Sequence, residues 1–292
     1  FNLFSKIGAV IVDEQHRFGV TQREELLKPF ILGSTPHFLN LTATPIPRTV
    51  AQAFFGDLEV IDIKTKPIGR KPIKTFVVKE EKRDASIKWL KERIKLGDQI
   101  FWICPTINDN NKAELKSVER TYKILKESFA EFNIDFLHGK IKNKESVFKR
   151  FIENKTQILL ATTVIEVGVD VPNANIVIVE NSERFGLAQL HQIRGRVGRS
   201  SKESWCFLFY SDKISDTAQK RLEFLKDNTD GFKISEFDLK LRGPGEIYGV
   251  MQSGVPLFKI AKVKNFINQL EASKILAEKL YRLNIKNISL FE

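Results

Sequence analysis

The chain is poor in sulfur, with two cysteines and one methionine in 292 residues. Cys104 and Cys206 lie in the apolar runs FWIC and WCFLFY, and no C-x-x-C pair occurs. Neither a disulfide scaffold nor a cysteine-based zinc site is expected, and a reducing compartment such as the cytoplasm suits the composition. The four histidines form no H-x-x-x-H pair, so histidine metal ligation is not expected either. No apolar stretch approaches the roughly 18 residues of a membrane-spanning helix. The opening FNLFSKIGAV does not read as a signal peptide. Internal repeats and low-complexity tracts are missing. So is a phosphate-binding G-x-x-x-x-G-K-[ST] loop. The nearest string, Leu137-His138-Gly139-Lys140, lacks the first glycine and the hydroxyl.

Charge is what the chain has in excess. Lys plus Arg is 47 and Asp plus Glu is 36, a formal net charge of +11. Such a balance points to an anionic partner, nucleic acid foremost, although a lysine bias that only aids solubility gives the same number. The excess is uneven. Residues 1–66 carry 7 basic and 7 acidic groups, 156–210 carry 5 and 5, 211–292 carry 14 and 11, and 67–155 carry 21 and 13. Within the last segment the densest run is Lys140, Lys142, Lys144, Lys149, Arg150 and Lys155, where a DNA-facing field is expected.

Short apolar, β-branched runs at 7–12, 37–41, 73–78, 100–104, 158–161, 176–179 and 205–210 read as buried strands. Helical periodicity appears at 82–96, 117–132, 215–227, 235–241 and 263–283. Strands alternating with helices predict an α/β fold with a parallel sheet covered on both faces. KTKPIGRKP, at 64–72, reads as a linker between two such units.

Four segments carry candidate chemistry. GAVIVDEQH ends a strand in adjacent carboxylates, Asp13 and Glu14. Such a pair suits a hydrated Mg²⁺ and the activation of water, as in phosphoryl transfer, but also an ordinary helix N-cap. LTATPIPRT places the hydroxyls of Thr42 and Thr44 after a strand, where a plain turn reads equally well. ATTVIEVGVDVPNA ends a strand in Thr162 and Thr163, suited to a backbone phosphate, and follows with Gly168 and Asp170, suited to a ribose hydroxyl. A buried loop with a capping Asp is the plainer account. QLHQIRGRVGRS is the sharpest. Arg194, Arg196 and Arg199 alternate with Gly195 and Gly198, pairing guanidinium forks with close backbone approach, as arginine fingers on a γ-phosphate require.

The order DEQH, TAT, Thr-Thr…Gly-x-Asp and R-G-R-x-G-R resembles the superfamily-two helicases and translocases. DEQHRFG, Gln-Leu-His191-Gln-Ile-Arg and the RGPGE at 242–246 make the RecG-type ATP-dependent DNA helicases the nearer likeness, ahead of the Mfd-like transcription-repair coupling translocases. The resemblance implies ATP and Mg²⁺ as cofactors, with Asp13 acting on Mg²⁺ through water and Glu14 activating the attacking water. It implies nucleotide contact or coupling by Gln15, His16, Thr42, Ala43, Thr44, Gly168 and Asp170. Gln192, Arg196 and Arg199 would reach the γ-phosphate. Thr162, Thr163, Lys140, Arg242 and Gln252 would contact or move DNA. The implied architecture is the C-terminal part of a first RecA-like lobe (1–66), a linker (67–72), a complete second RecA-like lobe (73–210), and a translocation helical hairpin with a C-terminal helical tail (211–292). The implied activity is remodelling of stalled forks and branch migration of Holliday junctions in recombination and repair. The implied partner is branched double-stranded DNA, without a membrane, in a bacterial, nucleoid-associated setting. A single-stranded DNA-binding protein as a further partner and a monomeric state complete these expectations.

Against that family the sequence lacks the phosphate loop, the upstream strands of the first lobe and the wedge domain, so it reads as a partial chain. For the 292 residues alone, a non-catalytic DNA-binding module is the competing expectation. With no backbone nest for the phosphates and no lysine to reach them, the chain by itself is expected to hydrolyse no ATP. Phosphate release from the purified chain with and without duplex DNA tests this, and DNA-stimulated turnover would contradict it.

Overall fold

The computed structural model describes residues 8–13, 37–42, 69–105, 111–137, 143–162, 171–242 and 266–283, with single positions between 59 and 65. The chain divides into two compact units, Phe1–Pro45 and Ile46–Glu292.

In the first unit, β1 (Ala9–Asp13) and β2 (His37–Leu41) pair in parallel, with Asp13 opposite Leu41. Ile11 and Leu39 are exposed and Val12 is buried.

The second unit holds a six-stranded, wholly parallel sheet. Its strands are β3 (Lys74–Lys79), β4 (Gln99–Ile103), β5 (Ile134–Leu137), β6 (Ile158–Ala161), β7 (Ala174–Val179) and β8 (Trp205–Tyr210), in the order β3-β8-β7-β4-β6-β5. Between them run α1 (Arg83–Lys95), α2 (Asn111–Ser128), α3 (Lys144–Ile152) and α4 (Leu187–Arg194). After β8 come α5 (Asp216–Asp227), α6 (Gly231–Arg242) and α7 (Phe266–Arg282).

Alternation along the strands feeds two cores. Ile100, Trp102, Ile158, Leu160, Ile176 and Ile178 point to one face, where Leu90 and Ile94 of α1 and Val118 and Leu125 of α2 meet them. Phe101, Ile103, Leu159, Val177, Val179 and Leu208 point to the other, where Phe151 of α3 and Leu187 and Leu190 of α4 cover them. This is why the central strands are apolar throughout: neither side of a residue pair faces water. Leu222 and Leu225 of α5 and Ile234 of α6 belong to the second core, so the helical pair after β8 is packed onto the sheet and shares its interior.

Each apolar run read from the sequence is a strand to within two residues at either end. One strand, β5, and two helices, α3 and α4, carry no such reading. β5 is only four residues long with Asp135 in it, and α3 buries just Val147 and Phe151 among charged neighbours. Helix α2 starts earlier than its periodicity suggests, at Asn111.

Both cysteines lie in the interior. Burial pushes the Cys104 and Cys206 thiols up to about 12.

At the C-terminal end of the sheet, Glu180 follows β7 and accepts two 2.8 Å hydrogen bonds from Arg83 and one of 2.9 Å from the Trp102 indole. The Arg83 guanidinium also lies 4.7 Å from the Phe209 ring centroid. Burial works against its charge, but the Glu180 and Glu80 carboxylates outweigh burial and raise its pKa. The pair thus joins the start of α1 to the end of β7. Arg83→Leu or Glu180→Leu alone is expected to cost about 3–5 kcal/mol, because each strands a largely buried charge. The double substitution is expected to cost less than the sum, and urea melts of the three variants check the coupling.

Candidate functional site

The fourth chemical segment is built on α4. Gly186 precedes the helix, and its N–H donates to the Gln189 side chain at 3.1 Å, half of a capping box. Leu187 and Leu190 anchor the helix to the core. The hydrogen-bonded turns continue past Arg194. Gly195 N–H donates to His191 O, Arg196 N–H to Ile193 O, and Val197 N–H to Arg194 O. Val197 is buried, which fixes the segment between the two outer arginines. Gly198 has φ +76°, and a Cβ there would lie 2.9 Å from the Ile73 side chain. Only glycine satisfies both the left-handed backbone and the close approach.

Arg194 is set apart from the other two arginines of this segment by its burial. Arg194 is 2% exposed. Its guanidinium donates to the carbonyl of Leu225 in the last turn of α5 and lies 2.9 Å from His191 Nδ1. Burial lowers its pKa, and no carboxylate offsets that. Arg194 therefore ties α4 to the end of α5, where a cation also suits the helix dipole. Gln192, Arg196 and Arg199 are partly exposed.

The segment runs towards the N-terminal end of the strands. Helix α4 starts where β7 ends and runs back along the sheet. Ser200 reaches Asn175, near the start of β7, at 3.4 Å, and Ser204 O accepts from Lys74 N–H at the start of β3. Arg196 and Arg199 thus sit towards the strands' N-terminal edge, whereas Thr162 and Glu180 sit at the C-terminal edge. Thr162 is fully buried, and its hydroxyl has no partner among the described residues.

In the first unit, Asp13 ends β1 and Thr42 follows β2. Both are exposed, and the parallel register brings them to the same edge of the two-stranded sheet. Glu14, Gln15, His16, Ala43, Thr44, Lys140, Thr163, Gly168, Asp170 and Gln252 lie outside the described residues, as does the side chain of Arg242, the last residue of α6.

The basic run of 140–155 is less available than its sequence suggests. Arg150 donates two 2.9 Å hydrogen bonds to Asp135, whose carboxylate also accepts from Thr156, and Lys155 pairs with Glu153 at 2.7 Å. Burial alone would raise the Asp135 carboxyl, but the bonds from Arg150 and Thr156 hold it below the usual carboxylate range. Residues fifteen or more apart carry no sequence signal for such a pairing.

Residues 81–201 match the family model of the helicase conserved C-terminal domain, and 228–287 match that of the C-terminal part of domain 3 of the ATP-dependent DNA helicase RecG. Among curated relatives, the ATP-dependent DNA helicase RecG of Synechocystis is 48% identical over 263 residues, 89% of this chain and 31% of that protein. RecG of Thermotoga maritima is 44% identical over 292 residues, 99% of this chain and 36% of that protein. A solved structure of RecG bound to a three-way DNA junction superposes with a TM-score of 0.67 at 41% identity, covering 92% of this chain and 34% of that one. The yeast Dbp5 L327V structure with RNA and ADP BeF3, at TM-score 0.52 and 16% identity, shares the fold. The chain spans about a third of the length of the RecG relatives.

Two outcomes follow from this geometry. Arg194→Ala is expected to lower stability by about 2–4 kcal/mol through lost packing and a stranded carbonyl, and Arg194→Lys is expected not to restore it, since one ammonium cannot span both partners. Thermal melts of both variants check this. Because the folded Asp135 is depressed, its contribution is present above the usual carboxylate range and is lost as pH falls through its folded value. Arg150→Ala is expected to bring its titration back up, read by the side-chain carboxyl NMR shift.

Proposed function

We propose that the chain belongs with the RecG-type ATP-dependent DNA helicases, which it matches in sequence and in fold over most of its own length, and that it forms part of an ATP-driven motor acting on double-stranded DNA. The observation that carries the reading is the α4 segment. Arg194, Val197 and Gly198 hold the segment in place, and Arg196 and Arg199 beside them are partly exposed. A rigid mount that presents guanidinium forks to solvent is what stabilising charge on a transferring phosphoryl group requires.

In this reading Arg196 and Arg199 meet the γ-phosphate, and Gln192 positions it. Asp13, exposed at the end of β1, suits a hydrated Mg²⁺, and Glu14 beside it activates the attacking water. Gln15, His16, Thr42, Ala43, Thr44, Gly168 and Asp170 sense the nucleotide. Thr163 and Lys140 contact DNA, with the buried Thr162 supporting Thr163 from within the fold, and Arg242 and Gln252 convert nucleotide turnover into duplex movement. The ATP itself needs a phosphate loop, which the 292 residues do not contain. By itself the chain is therefore a DNA-binding module. The RecG-specific match over 228–287 favours fork and Holliday-junction remodelling over the Mfd-like transcription-repair alternative. Branched duplex DNA is the proposed substrate, a single-stranded DNA-binding protein a further partner, a monomer the working state, and the bacterial nucleoid the setting. Among the described residues, no helix is long and apolar enough to cross a membrane.

A chimera tests the motor. Joining residues 1–292 to the preceding residues of the Thermotoga maritima relative is expected to give a DNA-stimulated ATPase. Arg196→Ala in that chimera is expected to reduce turnover by roughly 10³–10⁵-fold. Turnover unchanged by Arg196→Ala and Arg199→Ala would overturn the finger assignment.

A further inference from the structure

An aromatic surface lies on the α1 side of the sheet in the second unit. Phe76 of edge strand β3 is 43% exposed and Trp89 of α1 is 36% exposed. Phe207 of β8 connects them, with ring centroids 5.3 Å from Phe76 and 5.4 Å from Trp89. Trp205 closes the cluster from behind, 5.3 Å from Trp89. Arg93 holds its guanidinium 4.3 Å from the Trp205 centroid and is paired with Asp98, so the cluster has a fixed floor. Fixed aromatic faces left partly open to water are costly unless something covers them.

The charge around them indicates what does. Residues 67–98, which carry both exposed rings, hold 10 basic and 5 acidic groups, net +5, whereas 99–155 hold 11 and 8, net +3. At net +5 against +3 for 99–155, the larger share of the excess in the most basic segment therefore lies in 67–98. Three of its acidic groups are already matched within it: Glu80 to Arg83, Glu92 to Lys95 and Asp98 to Arg93. Arg70, Lys71, Lys82 and Lys88, in the same stretch of chain as the two rings, are all exposed.

We propose that Phe76 and Trp89 form a stacking platform for single-stranded nucleic acid, with the surrounding lysines taking the phosphates. Duplex DNA offers its phosphates but keeps its base faces paired inside, so only unpaired bases use the rings. The proposal rests on the motor reading for the kind of ligand and on the patch itself for the place. It gives the chain a contact for a displaced strand.

The full 292-residue chain and a fluorescein-labelled dT15 test it. Trp102 and Trp205 are buried at 1% and 6% exposure, so quenching of tryptophan emission by dT15 reports Trp89. Phe76→Ala and Trp89→Ala are each expected to weaken dT15 binding by roughly five- to 150-fold. Trp89→Phe, which keeps a ring, is expected to retain most of the affinity, and near-ultraviolet circular dichroism verifies that the variants fold. Binding of a blunt 20-bp duplex is expected to be unchanged in all three. An equal loss of duplex and dT15 binding, or the absence of quenching by dT15 in a chain that still binds duplex, would overturn the platform. So would displacement of dT15 by a deca-glutamate peptide at matched charge, which would make the patch a site for acidic protein segments. Failure to bind duplex at all, with dT15 binding intact, would count against the motor reading and leave the platform standing.

Discussion

Burial of the parallel sheet on both faces is the constraint from which the rest follows. Every strand between β8 and β6 must be apolar at successive positions, because its odd residues meet one helical layer and its even residues the other. That requirement dictates the helices as much as the strands. Helices α1 and α2 exist to cover one side, and α3 and α4 the other, with α5 and α6 extending the second layer past β8. The chemistry then has to be mounted where the layers end, on segments whose backbone is already held by the core. The α4 segment illustrates this. Leu190 and Val197 sink into the interior on either side of it, and what is left facing outward is Gln192, Arg196 and Arg199.

The polar groups taken into the interior serve the same end. Glu180 accepts hydrogen bonds from Arg83 and Trp102 and so pins the end of β7, from which the chain turns towards α4. Asp98 pairs with Arg93 and accepts from Asn175, joining the start of β4 to α1 and β7. Gln99 donates to the carbonyls of Phe151 and Thr156, tying β4 to the end of α3. Each of these ties an edge of the sheet to a helix end. None is a candidate for catalysis. Their effect is positional, since a buried polar group tolerates only the geometry that satisfies it.

Most of this architecture was legible in the sequence because continuous apolar runs have few alternatives in a chain of this composition. β5 escaped because Asp135 interrupts it, and Asp135 is tolerated only because Arg150 and Thr156 satisfy it from other elements. Helix α3 escaped because its polar residues outnumber the two side chains it buries. The site was partly legible. The R-G-R-x-G-R spacing marked the segment, but nothing local told Arg194 from Arg196 and Arg199. The difference is the carbonyl of Leu225, thirty-one residues on. Charge counting located the most basic segment, but not which of its cations were already matched within the fold. Arg150 and Lys155 look available in the sequence and are paired in the structure.

The depth of the two thiols has a consequence for how the molecule comes apart. Cys206 sits in β8 between β3 and β7, and Cys104 follows β4 at the middle of the sheet, both held as neutral thiols well above physiological pH. Burial disfavours the thiolate at both and keeps reagents from the sulfur, so reaction with an electrophile or an oxidant is suppressed while the sheet is closed. They are also the chain's only sulfhydryls. The rate at which an alkylating reagent consumes them is therefore a clock for the opening of the central strands, unconfused by any surface reaction.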